Sequence, residues 1–130
     1  MNPADLLFSE THEWVHVSED AGAKIATIGI SDFAVKELSD LVFLELPEVG
    51  KQLSAGDEFG EVESVKSVSS MYCPIDGEVI ETNSGLPESL DSLSEDPFGA
   101  GWMIKVRVND DTALSKLMDY AAYQKQCSED

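Results

Sequence analysis

Apolar and polar side chains alternate along most of this chain with the every-other-residue period of half-buried β-strands. Trp14-Val15-His16-Val17 reads as a strand, a turn follows at Ala21-Gly22, and Lys24 to Ile30 places Ala26, Ile28 and Ile30 on one face. Val42, Leu44 and Leu46 alternate with Phe43 and Glu45 until Pro47 ends the run. After Pro47-Glu48-Val49-Gly50 and the short stretch Lys51 to Leu53, Ser54-Ala55-Gly56-Asp57 signals a turn. Phe59 to Val65 and Val68 to Cys73 predict two short strands. Asp76-Gly77 is a tight-turn signal, and Gly77 to Glu81 continues as a strand. The cleanest alternation is Trp102, Ile104, Val106 and Val108 against Met103, Lys105 and Arg107.

Three segments depart from that period. Ser31 is a suitable N-cap for a short helix in which Ala34, Val35 and Leu38 share a side. Asn83 to Gly101, rich in Ser, Pro, Gly and acids, predicts a long surface loop. Asp111 to Gln124 spaces Leu114, Leu117, Met118 and Ala121 as a C-terminal helix, with Asp110 or Asp111 as its cap. The expected fold is therefore mostly β, a small sandwich or flattened barrel with a short helix and a C-terminal helix. A faint internal echo relates Gly56-Asp57-Glu58-Phe59-Gly60-Glu61-Val62 to Pro74-Ile75-Asp76-Gly77-Glu78-Val79-Ile80, as two related hairpins would.

Length predicts one domain over residues 1–130, and an apolar fraction of 42% suffices for a folded core. Charge changes the picture more: 26 acidic residues against 8 basic ones give a net charge of −18. Such a surface repels nucleic acid and anionic membranes, and it serves solubility or the steering of partners. Cys73 and Cys127 form no Cys-x-x-Cys pair, which points to two reduced thiols. His12 and His16 fall in a strand, where helical ligand spacing does not apply, so no metal site is expected. The N-terminus has neither signal-peptide nor transit-peptide character, and no apolar run has spanning length. The expectation is a cytoplasmic protein, or a mitochondrial-matrix one if this is a mature organellar form.

The centre of the chain carries the candidate chemistry. Lys66 is the only basic residue between Lys51 and Lys105, and Val62, Val65 and Val68 break the strand period around it. A turn centred near Lys66 accounts for the break and exposes the ammonium at a hairpin tip, where an enzyme can acylate it. On pattern alone, an ordinary solvated lysine offsetting Glu61 and Glu63 is the favoured account.

Glu63-Ser64-Val65-Lys66, followed by a small residue, resembles the lipoylation site of glycine cleavage H proteins. Thr11 to Val15, Gly29 to Ala34, Leu41 to Gly50, Ser70 to Val79 and Asp96 to Met103 are similar to that family's other blocks, in its order. The resemblance implies a lipoyl-domain-like hybrid barrel-sandwich fold with lipoate covalently attached at Lys66. It implies a non-catalytic carrier that takes an aminomethyl group from a PLP-dependent glycine decarboxylase to a tetrahydrofolate-dependent aminomethyltransferase and is reoxidised by an FAD-containing dihydrolipoyl dehydrogenase. A lipoate-attaching enzyme is the further partner, and a monomer is the implied state. By position, Thr11 and Glu13 line the cleft that protects the loaded arm, while Glu63 and Gly50 help the attaching enzyme recognise the hairpin. Departures are Ser69-Ser70 where the family often has an acid, Ser39 where it usually has Gly, and Ser94-Glu95-Asp96-Pro97 without the common Asn. Ser39 therefore predicts a different helix exit.

Other readings are weaker on residues. Lipoyl domains of 2-oxoacid dehydrogenases usually carry Asp-Lys-Ala at the tip, and biotin carriers usually have Met on both sides of the lysine; here the neighbours are Val65 and Ser67. An H-like relay that donates lipoyl groups to other apoproteins is the alternative within the same group. An enzyme using Cys73 with His12 or His16, and an unmodified binding module, complete the alternatives.

Overall fold

The computed structural model describes residues 2–110 and 112–129. Its strands are β1 (Leu7–Phe8), β2 (Glu13–Asp20), β3 (Ala23–Ile30), β4 (Leu41–Glu45), β5 (Gln52–Leu53), β6 (Glu58–Ser64), β7 (Val68–Tyr72), β8 (Asp76–Thr82) and β9 (Ile104–Asp110). The helices are α1 (Asp32–Leu38), α2 (Leu90–Glu95) and α3 (Tyr120–Glu129). Antiparallel pairing builds a six-stranded sheet in the order β1-β2-β3-β9-β8-β5 and a three-stranded sheet in the order β4-β6-β7. The two sheets face each other as the mostly-β sandwich that the alternation predicts. Ile28, Ile104 and Val106 from the larger sheet and Leu44, Val62 and Met71 from the smaller one belong to the same buried core. Each such side chain contributes roughly 2 kcal/mol by leaving water.

Local chemistry explains the turns and the helix start. Ala21 and Gly22 both adopt positive φ, 54° and 84°, as the tight β2–β3 hairpin requires. Ser31 caps α1, its Oγ accepting from the Ala34 amide at 3.2 Å. Trp14 lies fully buried across from Gly29, where a Cβ would come within 2.8 Å of the indole. The indole N–H donates to the Pro97 carbonyl at 2.9 Å, fastening the segment after α2 to the large sheet.

Several expectations are corrected. The segment 83–101 is not a plain loop. It holds a 3-10 turn (Leu86–Glu88) and α2, and it buries Leu86 and Leu93. Leu86, Leu90 and Leu93 already carry helical spacing, masked by the Ser, Pro and acids between them. The expected helix from Asp111 to Gln124 divides into a 3-10 turn (Thr112–Lys116), a bridge in which Met118 and Phe8 exchange backbone hydrogen bonds at 2.7 and 2.8 Å, and then α3. Its cap is Asp119, whose Oδ1 accepts from the Ala122 amide; Asp111 lies outside the described residues, and Asp110 ends β9. Asp76-Gly77 opens β8 rather than making a turn, and the Asp76 carboxylate accepts from the Ala55 amide at 2.7 Å. Val42 does not face inward with Leu44, because a bulge between Leu41 and Phe43 shifts the phase and turns it outward. β1 is too short to show any alternation. Among the described residues no helix is long and apolar enough to cross a membrane.

The internal echo has a structural counterpart. Gly60 and Gly77, each the first residue of a Gly-Glu-Val, sit at register shifts in β6 and β8, and the valine that follows is buried in both. A Cβ at Gly60 would lie 2.2 Å from the Glu45 carbonyl oxygen, and one at Gly77 would lie 2.4 Å from the Arg107 oxygen. Neither neighbour can rotate aside, being backbone. Gly60→Ala is expected to cost on the order of 2–3 kcal/mol. Gly85→Ala, with nothing near its Cβ, should be neutral or slightly stabilising. Urea unfolding of the two variants checks this; equal midpoints would refute the close approach of β4 and β6.

Candidate functional site

Lys66 projects from the turn that joins β6 to β7. Ser64 closes that turn: its amide donates to the Ser67 carbonyl at 2.8 Å, and its Oγ accepts from the amides of Lys66 at 3.3 Å and Ser67 at 3.1 Å. The hydroxyl of Ser64 is buried while residues 65–68 are all exposed. A second anchor comes from outside the hairpin, the Val65 amide donating to the Asp40 carbonyl at 3.0 Å. Asp40 follows Ser39, which ends α1 at φ 65°, ψ −128°. The lysine therefore stands in solvent on a backbone whose course is fixed on both sides.

Beside the hairpin lies a cleft of about 480 Å³. Ser69, Ser70 and Met71 of β7 form one wall; Phe33, Glu37 and Leu38 of α1 form another; Thr11, His12 and Glu13 close the end. Ser70 lies on β7, four positions beyond Lys66. The lining mixes apolar groups with carboxylates, of which Glu13 is only 1% exposed. Glu13 accepts from the hydroxyls of Ser9, at 2.8 Å, and Thr11. Burial raises its pKa to about 7, against the opposing pull of the Thr11 and Ser9 hydroxyls and of backbone hydrogen bonds from Tyr72 and from Glu13 itself. Near neutral pH the cleft thus holds a carboxyl poised between its two charge states.

α3 braces this wall. The Tyr123 hydroxyl lies 2.7 Å from His12 Nδ1 and 2.5 Å from the Ser31 hydroxyl, and its ring stacks on Phe8 at 4.4 Å. Burial pushes its pKa upward, so it stays a neutral hydroxyl. Among the described residues no cluster of His, Cys, Asp and Glu is arranged to hold a metal.

Of the residues singled out by sequence, Thr11 and Glu13 come together at the cleft. Glu63 sits on β6 one residue before the Ser64 turn, between Phe43 and Val68 on the neighbouring strands. Gly50 is elsewhere: β4 runs from Leu41, paired near the tip with Ser64, away to Glu45, and Gly50 lies past that far end, bonded to the Val79 carbonyl. Sequence reasoning missed Phe33, Glu37 and Tyr123. Phe33 and Glu37 follow from the phase of the predicted α1, being the positions off its buried stripe. Tyr123 carries no local signal, since only tertiary packing brings it to Ser31.

The family model described as Glycine cleavage H-protein matches residues 6–130. The chain belongs to the glycine cleavage H-protein family. It is 56% identical over 128 residues to a glycine cleavage system H protein of Rhodopirellula baltica, covering 98% of this chain and 96% of that one. It is 48% identical over 119 residues to a glycine cleavage system H protein of Rubrobacter xylanophilus, covering 92% and 91%. The crystal structure of a glycine cleavage system H protein from Mycobacterium marinum superposes with a TM-score of 0.83 at 35% identity, covering 98% of this chain and 99% of that chain. The barrel-sandwich fold is thus that of the H-protein family. At the α1 exit, Ser39 has a φ of 65°, a conformation suited to glycine and strained for serine. Ser69 and Ser70 both line the cleft.

Glu13 generates a pH prediction. Its folded pKa of about 7 lies above the 4.5 of an unperturbed carboxyl, so between those values the folded protein holds a proton that the unfolded chain has released. Stability due to this group therefore falls as pH rises from about 4.5 to 7 and is level above. Glu13→Gln keeps an acceptor for Ser9 and Thr11 without the charge. It should be more stable than the parent at pH 8 by roughly 1–3 kcal/mol, with the difference vanishing toward pH 4. Urea midpoints of both proteins across that range test it, and a constant difference would exclude the buried ionisation.

Proposed function

We propose that this chain is the lipoyl carrier of a glycine cleavage system, one domain over 1–130, with lipoate in amide linkage to Lys66. The observation that carries the reading is the exposed Lys66 on a doubly anchored hairpin beside a cleft with apolar walls and a buried carboxyl. Amide formation joins Nζ to a lipoyl carbonyl activated by ATP: the C–O bond to AMP breaks, and the ammonium's protons go to solvent. The lysine loses its charge and becomes a tether.

A lipoyl group held on Lys66 would supply a reversible disulfide–dithiol couple able to carry an aminomethyl group among the glycine decarboxylase, the aminomethyltransferase and the dihydrolipoyl dehydrogenase. The residues of this chain fit such an arm. Phe33, Leu38 and Met71 offer apolar contact to its hydrocarbon. Glu13, held by Thr11 and Ser9, offers a carboxylate to an amine and gains its charge when a cation arrives, since a positive neighbour lowers a raised carboxyl pKa. The position of Glu63 beside the tip supports a contact with the lipoate-attaching enzyme; Gly50 takes part only if that enzyme covers the whole length of β4. Cys73 is fully buried with its thiol pushed up to about 11, which argues against a nucleophile there. Tethering raises the effective concentration of the cargo at each partner.

Incubation with lipoic acid, ATP and a lipoate-attaching enzyme should add one lipoyl group, mapped to Lys66 by peptide mass and absent from Lys66→Arg. A folded protein that takes up nothing would overturn the carrier reading. The charge of −18 adds a kinetic expectation: association of the loaded carrier with the decarboxylase should slow as salt rises, and salt-independent rates would remove steering.

A further inference from the structure

Six large apolar side chains are exposed among the described residues, and four of them gather at the hairpin: Val42, Phe43, Val65 and Val68, at 54%, 45%, 69% and 60% exposure. Their placement follows from register. Phe43, Glu63 and Val68 oppose one another across β4, β6 and β7, and opposed residues in antiparallel strands share a face. The adjacent row, Leu44-Val62-Ser69, turns its apolar members into the core, so the Phe43-Glu63-Val68 row points out. The bulge between Leu41 and Phe43 brings Val42 to the surface as well, and Val65 adjoins Lys66 on the turn. The next outward row carries Glu45 and Glu61.

We infer that this apolar face, with Glu63 at its centre and carboxylates at its edge, is the docking surface for the enzyme that acylates Lys66. The inference rests on the lipoyl-carrier reading and names the contact that such an acylation needs. Reach decides between partners. Before modification the nucleophile is Nζ at the end of a bare four-carbon stem, so the acylating active site must close over the residues beside the tip. After modification the reacting sulfurs sit on a much longer arm, and later partners can work without covering this face. The chemistry of the surface specifies the partner's: an apolar recess around the acyl-transfer site with one basic group inside it for Glu63, rimmed by Arg or Lys that meet Glu61 and Glu45.

The test uses the full chain with Phe43→Thr and Val68→Thr combined, which removes the apolar surface and places a β-branched residue suited to a strand at both positions. Val49→Thr serves as control, since Val49 is equally exposed but lies beyond the far end of β4. With unchanged urea midpoints, the double variant should raise the attaching enzyme's KM for the apoprotein by about tenfold or more while kcat stays near the parent value. The control should stay within about twofold, and the double variant once lipoylated to completion should serve the decarboxylase as the parent does. A parent lipoylated on Lys66 together with an unchanged KM for the variant would overturn the docking face and leave the carrier reading standing. An equal loss at the decarboxylase would overturn the assignment to the acylating enzyme. A parent that takes no lipoate would remove the carrier reading itself, and the docking face with it.

Discussion

Hydrogen bonding by Ser64 and Asp40 holds a hairpin that burial cannot hold. All of residues 65–68 are exposed, so no hydrophobic contact fixes the path of the turn. The buried Ser64 hydroxyl gathers the Lys66 and Ser67 amides, and the Asp40 carbonyl takes the Val65 amide. Asp40 is in place because α1 ends at Ser39 in a left-handed conformation, and α1 begins where Ser31 caps it and touches Tyr123. A chain of short contacts thus runs from the C-terminal helix through α1 to the tip. The same helix lines the cleft, so whatever fixes α1 fixes the position of the lysine relative to its cleft.

Glu13 illustrates a second balance. Two hydroxyls and backbone hydrogen bonds favour its charged form, yet desolvation outweighs them and lifts the pKa to about 7. A carboxyl so placed ionises less readily than an exposed one in the empty cleft and more readily beside a cation. A cation entering the cleft would shift that balance toward the carboxylate, which is the behaviour the proposed loaded arm needs.

Much of this is legible in the sequence where the signal is local. Alternation marks most strands, Ser31 announces α1, and the broken spacing of Val62, Val65 and Val68 marks the turn at Lys66. The family blocks bring Thr11 and Glu13 to notice. What stays hidden depends on distant partners. Tyr123 is the one buried side chain of α3 among the described residues, and its place is set by Phe8, Ser31 and His12. The apolar stripe that predicts a C-terminal helix belongs largely to the 3-10 turn and bridge before it. Phe43 and Val42 look like ordinary strand residues until the bulge in β4 exposes both.

The exposed apolar face poses its own problem, because β4 and β7 are the edges of the small sheet and an apolar edge invites pairing with another copy. The structure counters this with shape and charge. The bulge at Leu41/Phe43 breaks the regular ladder that a second strand would extend. Glu45, Glu61 and Glu63 surround the apolar positions, and two copies brought edge to edge would oppose these carboxylates within a molecule of net charge −18. A partner with basic groups at its rim meets attraction where a second copy meets repulsion. On the docking reading proposed above, the excess of acid lets an apolar surface stay open beside the lysine while favouring a partner with a basic rim.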